Sequence, residues 1–274
     1  MKTKYSSLFS LPYLIWSLIF IIVPMGLVVV FAFTTEGGQF TLDYVSQVGE
    51  YTNVLVRSVW LAAIATIICL LIGYPLAFIM FRMPGFQQRT MLMLIMLPMW
   101  MNFLLRTYAW MTILEKNGLL NKLFGLVGLG PFDMINTQGA VVLGMVYNYL
   151  PFMILPLYSI MTKIDNRTIE AAQDLGANTK NVFTRIVIPM SMPGISTGIT
   201  MVFVPSVSTF IISRMLGGGG NLLIGDLIDL QFLGNAYNPH LGSAISLVLM
   251  VLILLCMSIL NQFNSDEDRE GMLL

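Results

Sequence analysis

Few residues in this 274-residue chain could carry chemistry, and their spacing limits what that chemistry is. The one histidine, His240, follows Pro239 and has neither an HExxH partner nor Cys/His company, so it reads as an interfacial cap residue. Cys69 and Cys256 each lie inside an apolar stretch, where they behave as small hydrophobes and imply no disulfide framework. The 21 methionines are scattered along the whole chain, which fits packing and not a soft-metal site. The glycine run at 217–220 leads into Asn221-Leu222, and no Gly-Lys pair occurs anywhere, so no Walker A phosphate cradle is encoded. Nucleophilic, metal and nucleotide chemistry therefore lack carriers. Prolines inside apolar stretches remain (Pro24, Pro75, Pro98, Pro151, Pro156, Pro205), together with aromatic residues beside polar ones. Each proline removes a backbone donor and favours a kink, a pattern that suits a pathway through a helical bundle better than a simple anchor.

Composition dictates the elements that hold these residues. Apolar residues make up 57% of the chain and charged residues 10%, against about 25% in an average soluble domain. Lys+Arg and Asp+Glu are equal at 14 each, which argues against a nucleic-acid partner. Asp, Glu, Lys and Arg are missing from 5–35, 58–81, 90–105, 134–162, 186–213 and 241–265. A helix needs about 20 mostly apolar residues to cross a bilayer core. Open sheet edges cannot sit in lipid, and these stretches do not alternate as barrel strands do. The expectation is an all-α polytopic membrane protein, a single transmembrane domain over 1–274. Its six spans fall at about 11–33, 56–81, 90–114, 137–161, 192–214 and 241–263, the third carried past Arg106. The first span is too long for a signal peptide and lacks a small-residue cleavage site. Nine basic residues (Lys2, Lys4, Arg82, Arg89, Lys163, Arg167, Lys180, Arg185, Arg269) fall on one side and five (Arg57, Arg106, Lys116, Lys122, Arg214) on the other. The positive-inside rule then predicts both termini cytoplasmic.

The one sizeable cytoplasmic loop, 163–191, is patterned. Asp165 or Asn166 can cap a helix through Leu175, Gly176 can end it in a left-handed conformation, and Asn178 or Thr179 can cap a second short helix stopped before Pro189. Ala171 and Ala172, with Phe183 and Ile186, form a small, partly apolar face that either enters a partner's groove or packs on its own bundle. Glu170-Ala171-Ala172, Gly176, Ile186 and Ile188-Pro189 at their spacing resemble the EAA signature of ABC importer permeases, with Ile188 where leucine is usual. The resemblance extends over nearly the whole chain, including the six-span type I layout. A narrower likeness to spermidine/putrescine permeases rests on Leu97-Pro98-Met99-Trp100 with Asn102, Leu150-Pro151-Phe152-Met153, Pro156-Leu157-Tyr158-Ser159, 171–177, and 221–225 leading to Gln231-Phe232-Leu233.

That resemblance implies a subunit of the bacterial cytoplasmic membrane that is not itself an enzyme and holds no cofactor. ATP and magnesium would sit on a partner ATPase homodimer, beside a second permease chain and an extracytoplasmic substrate-binding protein. Glu170, Ala171, Ala172, Gly176, Ala177, Phe183, Ile186 and Pro189 would couple to the ATPases. A polyamine path calls for aromatic faces and carboxylates, which marks Trp100, Asn102, Tyr108, Tyr147, Asn148 and Asp226. Aromatics at such depths are commonly interfacial belt residues, and Asp226 and Asp229 read first as solvated loop charges, which leaves the partner permease to supply most acidic ligands. The alternative is a permease for an inorganic anion, iron or another small solute, in which Arg106 or Arg214 would matter more than Trp100.

Overall fold

A computed structural model describes residues 11–270. Lys2, Lys4 and the side chains of Asn166 and Arg269, used above in the charge and capping arguments, lie outside what is described. Helices are α1 (Leu11–Ala32), α2 (Thr52–Arg82), α3 (Gly85–Trp100), α4 (Phe103–Leu114), α5 (Leu119–Leu126), α6 (Gln138–Met161), α7 (Asn166–Asp174), α8 (Thr179–Val207), α9 (Ile211–Leu216), α10 (Ile224–Leu233) and α11 (Pro239–Glu270). Among the described residues the one extended pairing is a bridge between Thr34 and Phe40. Five helices are long and apolar enough to cross a membrane, and the bent pair formed by α3 and α4–α5 makes a sixth.

Two compact units can be distinguished. One joins the chain up to Asn53 with Leu227–Leu254. In it His240 is buried and stacks on Tyr44, while its Nδ1 lies 3.0 Å from the Phe31 carbonyl oxygen at the end of α1. The cap of α11 is Asn238, whose Oδ1 accepts from Leu241 N, so the expected capping role of His240 is corrected. The histidine is instead an internal tie, because its ring nitrogen adds a hydrogen bond to a carbonyl at the end of α1 that otherwise takes a 3.5 Å turn bond from Thr34 N.

The other unit joins Val54–Asp226 with the segment from Leu255 onward. Its centre is the antiparallel packing of α6 on α8. Gly198 meets Met153, and Gly194 meets Ile160 and the Pro156 carbonyl, close approaches that small residues allow between membrane helices. Met153, Ile154, Leu157 and Met161 from α6 form a buried core with Cys69, Ala77 and Met80 of α2 and Val202 of α8. A second core gathers Val141, Met145, Ile212, Leu216 and Leu223.

Three expected boundaries are corrected. The third span, 90–114, is not one helix: α3 and the segment from Phe103 are bent by 89°. Pro98 withholds a backbone donor near the end of α3, and Asn102 starts a new helix by accepting from Leu104 N at 2.8 Å and Leu105 N at 3.4 Å. The short helix expected to stop before Pro189 continues into the fifth span as α8, through a wide π turn at Phe183–Val187 that ends two residues ahead of the proline. That turn relieves the clash of the proline ring with the preceding carbonyl. The fifth span, expected over 192–214, ends at Val207 and is interrupted before α9 resumes at Ile211.

Candidate coupling segment and substrate path

The caps and the turn of segment 163–191 form as the sequence predicts. Asp165 Oδ1 accepts from Arg167 N at 3.0 Å and opens α7, and Asn178 Oδ1 accepts from Asn181 N at 2.8 Å and opens α8. Between them Gly176 takes φ +86°. Gly176 N donates to Gln173 O, and Ala177 N donates to Ala172 O, the paired bonds of a Schellman turn. A small core of Ile164, Ile169, Val182 and Val187, with Phe78 and Phe81 of α2 alongside, holds the turn in place.

This core divides the expected partner face. Ala172 and Ala177 pack inward against it. Phe183 meets Tyr74 and Phe78 of α2 edge-on, with ring centroids 5.6 and 5.1 Å apart, and Ile186 is half-buried. Tyr74 is tied further to α8 by a 2.9 Å hydrogen bond between its hydroxyl and that of Ser191. Phe183 is therefore a clamp on the chain's own bundle. Glu170, Ala171, Gly176 and Pro189 are exposed. So is Leu175, at 90%, which the sequence reading missed. A signal for it exists: the apolar contact of a Schellman turn falls between the residue after the glycine and the third from the helix end. Here those are Ala177 and Ala172, which leaves Leu175 no inward role.

The proposed path residues are not brought together as a set. Trp100, 79% exposed at the end of α3, Asn102 at the bend and Tyr108 on α4 all face outward. Tyr147 is half-buried and packs edge-on with Trp110 at 5.4 Å. Asn148 is buried, 3% exposed; its Nδ2 donates to Gly144 O at 2.9 Å, and its Oδ1 has no hydrogen-bond partner.

Asp226 corrects the reading of a solvated loop charge. It lies in the first turn of α10 at 0% exposure. Its Oδ2 accepts from Ser213 Oγ at 2.6 Å and Leu223 N at 2.9 Å, and Oδ1 stands 3.7 Å from Arg214 Nε. A buried carboxylate needs such donors to remain charged, and here they fasten α9 to α10. Asp229 is half-buried in the same helix and is also no loop residue. Arg57, counted as an outer charge, donates to the Gly220 and Leu222 carbonyls, while Ser58 Oγ accepts from Ile224 N at 2.8 Å. The glycine run is thus pinned to the start of α2. Arg106 is 8% exposed, with its guanidinium over the Phe103 ring at 5.9 Å.

Helices that cross a membrane, a capped helix pair leading directly into a long span, and interrupted helices facing one another are the parts of a transporter permease. Residues 70–266 match the family of binding-protein-dependent transport system inner membrane components, and the chain belongs to that family. It is a multi-pass protein of the cytoplasmic membrane. Two relatives narrow the likeness. The chain is 40% identical over 265 residues to the spermidine/putrescine transport system permease protein PotB of Haemophilus influenzae, covering 93% of this chain and 92% of that one. It is 37% identical to PotB of Escherichia coli K12, covering 87% and 90%. In fold it is similar to a crystal structure of a bacterial ABC transporter involved in the import of alginate, with TM-score 0.81 at 17% identity, covering 96% of this chain and 94% of that one.

Proposed function

We propose that this chain is a membrane-spanning permease subunit of an ATP-driven importer of the polyamines spermidine and putrescine. The observation that carries the substrate is identity of 37–40% to PotB permeases over about nine-tenths of both chains. In this reading the chain acts as one permease domain with both termini in the cytoplasm. A second permease chain completes the path, and an extracytoplasmic binding protein delivers substrate. ATP and magnesium reside on a pair of ATPase subunits, since this chain encodes no phosphate-binding loop, and it performs no hydrolysis itself.

The geometry of α7 supports the coupling role. Its outward surface is Glu170, Ala171, Leu175 and Gly176, held by a small core whose other wall is α2. A partner that grips this surface moves α8 as well, because Ala177 and Asn178 lead into α8 without a flexible linker. Ala171 permits close approach, Leu175 fills an apolar recess and Glu170 offers a charge-assisted contact.

The test is uptake of labelled spermidine by cells lacking this chain, with and without its return, competed by putrescine and by sulfate. Uptake that requires the chain and yields only to polyamines is the expected result. Uptake indifferent to the chain, while an ATPase still copurifies with it, would discard the polyamine assignment and keep the importer.

A further inference from the structure

The interruption of the fifth span at residues 208–210 has the makings of a cation site. The carbonyl end of a 29-residue helix, α8, points at it, and such an end carries partial negative charge that no helical donor satisfies. Interrupted membrane helices use unwound carbonyls and helix C-terminal ends to hold cations. Gly225 packs directly on the break: a β-carbon there would stand 2.7 Å from the Thr209 carbonyl oxygen and collide with that of Ser208. The next residue is Asp226, so a fully buried carboxylate lies one residue from the contact. Arg214 balances part of its charge from 3.7 Å.

An independent feature lies at the same level of the bundle. Gly144 of α6 packs on Ile212 and Leu216, the Tyr149 hydroxyl donates to Pro205 O at 3.4 Å, and Met153 packs on Gly198. In this antiparallel register Asn148 falls between the levels of 205 and 212, which is the level of the break. Tyr149 confirms the level, since its hydroxyl also meets the Thr209 side chain. Because Asn148 Nδ2 must donate to the Gly144 carbonyl, the orientation of the amide is fixed, and the atom left buried and unpartnered is the acceptor Oδ1. An orphaned acceptor in an apolar span is costly and calls for a donor.

We infer that the break at 208–210, at the level of Asn148 and backed by Asp226, is a binding station for one protonated amino group of the transported polyamine. This rests on the polyamine reading above. An ammonium group carries three N–H donors and no acceptor. Asn148 Oδ1, the Thr209 hydroxyl and a carbonyl of the unwound segment supply three acceptors, and the helix end supplies the compensating partial charge, with the Asp226–Arg214 pair held beside it. Asn148 and Thr209 are both buried in this conformation, so the station is closed and opens when α8 and α9 shift against α6.

The experiment uses the complete importer in proteoliposomes, with saturating binding protein and labelled spermidine, and follows uptake per complex together with thermal stability. Asn148→Leu removes the orphaned acceptor. Uptake should fall about tenfold or more while Tm stays equal or rises, since an unsatisfied polar atom has been replaced by an apolar one. Asn148→Asp, which keeps an acceptor and adds negative charge, should retain most of the uptake. Unchanged uptake with Asn148→Leu overturns the station. So does a fall in uptake accompanied by a fall in Tm, which marks a structural role. Should that variant not assemble, Asn148→Met, which removes the same acceptor, is judged by the same criterion. A wild-type importer that carries no polyamine would overturn both this inference and the reading on which it rests.

Discussion

The two ends of α8 treat polar residues in opposite ways. At its start, around α7, the polar groups are on the surface and a small apolar core of Ile164, Ile169, Val182 and Val187 sits beneath them. Beyond its far end, around α9 and α10, Asp226, Ser213 and Thr209 are buried and the backbone is interrupted. The first region is built like the edge of a soluble protein, ready to meet another subunit. The second buries a carboxylate and polar side chains beside an interrupted helix, a costly arrangement that membrane proteins tolerate where solutes or ions must pass. Binding a partner thus requires little of the fold, whereas lining a path requires the bundle to bury groups it must keep satisfied.

Substitutions at each end should separate these two designs. The largest effect is expected from Asp226→Ala, which leaves Ser213, Leu223 N and Arg214 without their carboxylate. Stability of the detergent-solubilised complex should fall by about 3 kcal/mol, read as a drop in Tm. Gly225→Ala should follow at about 2 kcal/mol, because its methyl must displace backbone at the break and not a mobile side chain. Leu175→Asp should leave Tm unchanged and weaken retention of the ATPase by about 2 kcal/mol in copurification, as for a desolvated anchor. A Tm loss there would contradict the surface role. The smallest effect is Asp165→Ala, where one cap is lost and the coupling helix frays by about 1 kcal/mol, visible as faster amide exchange confined to α7.

Sequence made the caps and the turn of the first region legible, but not which of its apolar residues face outward. Its signals are local: a capping aspartate, a glycine at the turn and a capping asparagine, each acting within three residues of itself. The six apolar stretches were legible for a similar reason, since bilayer thickness converts directly into length. The second region was not. Asp226 reads as a loop charge because its burial depends on Ser213, thirteen residues away, and on the packing of α9 against α6. Likewise Arg57 finds its carbonyl partners more than 160 residues downstream. His240 meets a carbonyl of α1 over a still longer separation. The bend after Trp100 lay between these extremes: Pro98 and Asn102 were recognised as disruptive, but the direction of the new helix was set by tertiary packing.

The helical run from Thr179 to Val207 also fixes a mechanical ratio. Its 29 residues make a rod about 43 Å long. Pivoted near its capped end, that rod turns a tilt of about 5° into a sweep of about 4 Å at the other, roughly one helical groove. A tilt that barely moves the capped end is therefore amplified by the time it reaches Val207.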